Sequence, residues 1–324
     1  MAAYADSTPT GHEIVDLRRI AARELDHLLL EETVEWDQEL DWDFSKSADL
    51  VRRYAEMRAL GGAALMDRGE VAGYGYSVVE DHKGLIGDIY VRPGWRRGDA
   101  ELRLFRTMLD ALIGCPPVRR IESQLMLVEP DVAKAIQRER FIRLFERVLM
   151  RFDASTSLPA GRPLPPGRFR IAPWTEQYHD ETAGVIVLAY ANHVDSQIND
   201  QYRTFAGARR FLGNIVQYPG CGDFSRQGSF LAFDAESGGL GGIVLASFVS
   251  AEVAHITQLC IVPGAQGLGL GYELLRQAVA ALRAAGALRV SLTVTTANRT
   301  ALELYRRCGF RELRRFFAYI WEGY

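Results

Sequence analysis

Hydrophobic positions along the chain recur in a pattern that repeats about 170 residues later. Leu104, Phe105, Met108, Leu109 and Leu112 follow the i, i+1, i+4, i+5, i+8 spacing of one helix face, and Leu274, Leu275, Ala278, Val279 and Leu282 repeat it. A proline precedes each predicted helix, Pro93 or Pro263. Before each proline stands a glycine-punctuated stretch, GGAALMDRGEVAGYGYSVVEDHKGLIGDIYVRP or GSFLAFDAESGGLGGIVLASFVSAEVAHITQLCIVP, that reads as three short strands. Gly114 and Gly286 stop the helices. RRIESQLML and LRVSLTV then supply a further strand in each half, followed by a second helix and a phenylalanine, Phe141 or Phe310.

Tight turns join antiparallel strands, whereas a strand, helix and strand in succession require a parallel pairing with a right-handed crossover. The expected fold is therefore α/β in two tandem domains, each a mixed, mostly antiparallel sheet with one parallel crossover and flanking helices. Residues 154–167, ASTSLPAGRPLPPG, hold Pro159, Pro163, Pro165 and Pro166 without a hydrophobic period, as expected of a stiffened linker. The predicted domains are 1–153 and 168–324.

At 324 residues the chain is long enough for two separate cores, and 48% hydrophobic with 24% charged residues is the balance of a globular protein. With 38 basic and 41 acidic side chains the formal charge is −3, so no global positive field exists to hold nucleic acid or an anionic membrane. Neither a signal-peptide pattern nor an apolar run of about 18 residues is present, and Cys115, Cys221, Cys260 and Cys308 lack a C-x-x-C pair. A cytoplasmic protein with reduced thiols is expected, with no membrane or nucleic-acid partner and no metal.

The chemistry concentrates in IVPGAQGLGLGYELL, where Gln266, Gly267, Gly269 and Gly271 lie between a strand end and a helix start. Such a turn exposes backbone N–H groups and a helix N-terminus to an anion such as pyrophosphate, though small residues also suit simple packing there. A P-loop would need Gly-Lys-Ser/Thr, and Tyr272 takes the place of the last glycine in a Rossmann fingerprint. Downstream, in LRVSLTVTTANRTALELYRRCGF, Asn298 precedes a helix carrying Tyr305 two turns later, so both can face the cleft beside the glycine turn. Asn298 also suits an N-cap, and Tyr305 a half-buried core position.

I-V-P-x-x-Q-x-x-G-x-G followed by N-x-x-A-x-x-L-Y-x-x-x-G-F resembles the GNAT superfamily of acyl-CoA-dependent N-acetyltransferases, over element order from about 168 to 324. The resemblance implies acetyl-CoA as cosubstrate and a small-molecule or peptide amine as acceptor, attacked directly in a ternary complex. By it, Gln266, Gly267, Leu268, Gly269, Leu270 and Gly271 would cradle the pyrophosphate. Leu259, Cys260 and Ile261 would bind pantetheine through backbone groups, Asn298 would contact the cofactor arm, and Tyr305 would protonate the leaving thiolate. His255 is the candidate general base, since imidazole titrates near neutrality; a structural strand histidine, Glu252 and a water chain are the alternatives. A non-catalytic acyl-CoA sensor or a partner-binding tandem is the alternative function.

Overlaying the halves puts Arg96 at Gln266, Asp99 at Gly269, Glu101 at Gly271, Glu129 at Asn298 and Ile136 at Tyr305. Two carboxylates where a pyrophosphate would sit imply a degenerate N-terminal copy and one active site per chain, as monomer or homodimer. EETVEWDQELDWD, residues 31–43, carries Glu35, Asp37 and Asp41 among its acids, either steering a cationic amine or forming a solvated face with Trp36 and Trp42 folded inward. LAYANHVDSQINDQY, with His193, Asp195, Asn199 and Asp200, is expected to line the acceptor groove.

Overall fold

The computed structural model describes residues 13–96, 99–129, 132, 134–135 and 142–323. They form two compact units, one drawn from the described residues of 13–34, 48–144 and 319–323, the other of Glu35–Ser47 and Phe145–Ala318. Phe141 and Ile136 lie outside the described residues.

In the first unit β1 (Glu13–Asp16), β2 (Gly61–Asp67), β3 (Glu70–Glu80), β4 (Lys83–Val91) and β5 (Arg120–Leu125) lie side by side in chain order. The first three pairings are antiparallel and β4–β5 is parallel. Helices α1 (Ala22–Leu40), α2 (Ser45–Glu56) and α3 (Ala100–Ile113) accompany them, and α3 buries Leu104, Phe105, Met108, Leu109 and Leu112, the face its periodicity predicts.

The second unit contains β6 (Arg143–Asp153), β7 (Phe169–Pro173), α4 (His179–Tyr190), α5 (Asp195–Ile198), α6 (Phe205–Gln217), β8 (Asp223–Phe224), β9 (Phe230–Asp234) and β10 (Leu240–Phe248). It continues with β11 (Val253–Ile261), α7 (Leu270–Ala284), β12 (Arg289–Thr295), α8 (Arg299–Arg307) and β13 (Arg311–Glu322). The strand order is β13-β6-β12-β11-β10-β9-β7, with β8 on β10. One core packs α7 and α8 on the sheet through Leu274, Leu275, Ala278, Val279, Leu282 and Leu302; a second packs Ile186 and Leu212 on Ile243 and Leu245.

The repeat extends to hydrogen-bond register. Lys83–Ile86 pairs in parallel with Arg120–Ser123, and Val253–Ile256 pairs with Arg289–Leu292 at offsets of 170 and 169. In each half a bulge follows at once, with Gly87 and Thr257 as the extra residues opposite β3 and β10. A bulge bends its strand. Parallel pairing accordingly stops there, although β11 runs on to Ile261 and β12 to Thr295, so the two strand ends splay apart.

β6 precedes the linker read from the sequence and pairs with a strand that follows it. Residues 147–153 pair antiparallel with Thr295 back to Arg289, and Val148, Met150 and Phe152 alternate into the second unit's core. The segment 35–47 also belongs to this unit. Trp36 stacks on Phe44 with centroids 4.8 Å apart, and Asp41 sits between Arg151 and Arg289. With Asp41 and Glu39 ion-paired, the latter to Arg314, the acidic stretch is a docked surface with its tryptophans turned inward, and the steering idea loses much of its charge.

Candidate functional site

The strand β11 ends in a short turn, Pro263–Ala265, from which Gln266–Gly269 leads into α7. Gln266 holds this turn together: its backbone N–H donates to Pro263 at 3.3 Å and its side-chain Nε2 to the Ile261 carbonyl at 3.1 Å. In the first unit Arg96 donates from Nε to the carbonyl of Val91 at 2.6 Å, the same brace 170 residues earlier. Gly267 and Gly269 have φ of 73° and 87°, the left-handed region that favours glycine. Among the described residues nothing accepts from the N–H groups of Gly267, Leu268 or Gly269. Leu270, 1% exposed, anchors the first helical turn in the core, and Gly271 leaves ordinary contact distance to Ile261. Open amides at a helix N-terminus, without a nearby side-chain bulge, suit a phosphate group.

The linker lies over this turn. Tyr272 donates its hydroxyl to the Pro159 carbonyl, Gly161 lies against the Tyr272 ring, and the Arg162 carbonyl oxygen is 3.2 Å from where a Gly269 Cβ would stand. Leu158 and Leu164 pack on the core at either end.

Leu259, Cys260 and Ile261 pair with Val244, Ile243 and Gly242 of β10, which leaves their other edge facing the splay. Beside it the structure gathers a cluster. Tyr190 and Tyr202 stack with centroids 4.2 Å apart; the Tyr190 hydroxyl donates to Gln258 Oε1 at 2.8 Å, and Gln258 Nε2 donates to the Tyr202 oxygen at 3.0 Å. Cys260 is buried, and burial pushes its thiol up to about 12, so it is a packing residue rather than a nucleophile. Tyr305 is 8% exposed; burial, with Cys260 and Asp195 nearby, holds its phenol protonated well above the ordinary range. Its hydroxyl has no hydrogen-bond partner among the described residues.

Asn298 caps α8, its Oδ1 accepting from Ala301 N at 3.2 Å, which leaves its amide N–H₂ open. His255 stands elsewhere. It is 8% exposed, with Nδ1 2.8 Å from Ser291 Oγ and its ring 5.2 Å from that of Trp42. Burial, helped by Arg147, pushes it down to about 3. A ring held neutral under a tryptophan is a poor proton acceptor, so this environment does not suit the base read from the sequence. Glu252 is exposed and precedes β11, at the end away from the glycine turn. The sequence reading named the segment that carries Tyr190 and Tyr202 but not those two residues, and it singled out neither Gln258 nor Thr295; a buried glutamine on β11 was the available signal.

In the first unit Asp99 and Glu101 occupy the start of α3, and Glu101 is 5% exposed. Glu129 is exposed and Ile136 lies outside the described residues. All four cysteines are free, and no helix of the described residues is long and apolar enough to cross a membrane.

The Acetyltransferase (GNAT) family model matches residues 197–310. A GCN5-related N-acetyltransferase from Sphaerobacter thermophilus superposes with a TM-score of 0.66 at 18% identity, covering 95% of both chains. A tandem GNAT protein from the clavulanic acid biosynthesis pathway gives 0.58 at 14% identity, covering 96% of this chain and 98% of its own. A putative acetyltransferase from Pyrococcus horikoshii gives 0.53 at 13% identity over 100% and 93%. These likenesses show a tandem mixed α/β fold; no curated protein matches the sequence.

Proposed function

With a GNAT-family domain at residues 197–310 as premise, we propose that the chain transfers an acyl group from an acyl-CoA, acetyl-CoA first among them, to a primary amine. The active site is in the second unit. The observation that carries this reading is the splay of β11 and β12. An open-amide turn follows the end of one strand, and a helix with an unpartnered, protonated Tyr305 follows the end of the other.

Gly267, Leu268 and Gly269 direct N–H groups at the pyrophosphate, and the α7 N-terminus adds its dipole. Bound there, the acyl-CoA supplies the thioester that the amine attacks. The free edge of Leu259, Cys260 and Ile261 aligns the pantetheine arm, and the open amide of Asn298 contacts it. Tyr305 delivers a proton to the departing sulfur; burial keeps that proton in place until negative charge develops beside it. Tyr190, Tyr202 and Gln258 form the acceptor-side wall.

The first unit repeats the strands and bulge but brings Asp99 and Glu101 to the place of the bare turn, so it does not take the cofactor in this way. The test is thiol release from acetyl-CoA with a set of primary amines, wild type against Tyr305→Phe. Amine-dependent release that falls about 10²-fold or more in the variant supports the reading. Release that is indifferent to Tyr305 counts against it.

A further inference from the structure

Asp195 is the first residue of α5, and its side chain is 14% exposed. Thr295, the last residue of β12 and 1% exposed, donates its hydroxyl to Asp195 Oδ1. Oδ2 lies 3.8 Å from His193 Nδ1, and that nitrogen accepts the Asp195 backbone N–H at 3.1 Å. No lysine or arginine stands within ion-pair distance of Asp195 among the described residues. The other sheltered carboxylates of this unit are neutralised: Asp41 by Arg151 and Arg289, and Asp234 by Arg168. Sequestering a carboxylate without a cation is costly, and the cost is recovered when a cation arrives.

The surroundings say what kind of cation. Asp195 acts electrostatically on Tyr190, Tyr202, Cys260 and Tyr305, so it faces the same space as the unpartnered phenol. The stacked Tyr190 and Tyr202 rings and the His193 ring, 5.3 Å from Tyr190, give that space an aromatic side. Arg147, directly opposite Thr295 in the β6–β12 register, is a cation on this side, and it acts on Tyr202.

We propose that Asp195 receives the acceptor as its ammonium ion, making the substrate class a primary amine carried on an apolar or aromatic stem; this rests on the acyl-transfer reading above. Oδ2 takes one ammonium proton and passes it to solvent. The neutral nitrogen bonds to the thioester carbon as the carbon–sulfur bond breaks, and sulfur takes the Tyr305 proton. The second nitrogen proton restores Tyr305, so one proton is released per turnover. Thr295 positions the carboxylate.

The test uses the full chain saturated with CoA, titrated calorimetrically with tyramine, hexylamine and spermidine, and the same amines as substrates with acetyl-CoA. Wild type binds tyramine or hexylamine in preference to spermidine, and a preference for spermidine would overturn the assigned stem. Asp195→Asn, which keeps the Thr295 contact, weakens that binding at least tenfold and lowers kcat/KM for the amine about 100-fold, with CoA affinity unchanged within twofold. Thr295→Val raises the amine KM severalfold with kcat little altered, and it carries the test should Asp195→Asn fail to fold. Unchanged amine affinity in the variants, or a CoA-loaded wild type that binds none of the three, overturns the assignment. Absence of CoA binding would instead overturn the acyl-transfer reading itself.

Discussion

Gly161 lies flat against the ring of Tyr272: a Cβ on Gly161 would stand 2.0 Å from Cε1 of that ring. The Tyr272 hydroxyl bonds to Pro159 two residues earlier, so one side chain pins the linker along the glycine turn. Gly161→Ala must lift the linker or swing the ring, at a cost of about 1–3 kcal/mol. Its melting temperature is expected to fall by several degrees, and Tyr272→Ala in the same chain should recover most of that loss. A double-mutant cycle measures the coupling, and additive losses would show that the two residues do not bear on one another.

His255 separates a buried structural histidine from a catalytic one. Its folded pKa, about 3, lies below the unfolded value of 6.5, so the unfolded chain binds more protons between those limits. Its contribution to stability is present above pH 6.5 and is lost as pH falls toward 3. His255→Gln is expected to flatten the pH dependence of stability over that window and to leave kcat within about tenfold, whereas loss of a general base costs about 10²–10⁴. Melting curves and turnover at matched pH decide between the two roles.

The first unit titrates in the opposite sense. Asp88 and Glu32 are buried together, Tyr74 donates to Glu32 at 2.5 Å, and Asp88 accepts from Ile89 N at 2.7 Å. Burial pushes Asp88 up to about 7 from an ordinary 3.8, partly offset by the Ile89 and Glu32 hydrogen bonds. A raised folded pKa stabilises below the unfolded value, and that stabilisation is lost as pH climbs from about 4 to about 7. Asp88→Asn should remove this decline, as followed by thermal melts between pH 4.5 and 8.

The repeat was legible because side-chain periodicity and glycine placement are local properties: all five positions predicted on each helix face are buried. The glycine turn was legible for the same reason, since positive φ at Gly267 and Gly269 leaves a mark in sequence. Partners distant in the chain left no such mark. Nothing local ties Asp195 to Thr295, Gln258 to Tyr190 and Tyr202, or β6 to β12. The environment of His255 left no mark either: its burial, with Trp42 against the ring and Arg147 nearby, comes from segments far from it in the chain.

The acyl-transfer proposal requires one cofactor site per chain, in the second unit. Calorimetric titration with acetyl-CoA tests it most directly, for wild type and for Gly271→Glu, which imports the first half's carboxylate at a position without positive φ where a side chain meets only ordinary contacts. A stoichiometry near one is expected, with binding lost in the variant. Two equivalents per chain, or one equivalent untouched by the glutamate, would contradict it.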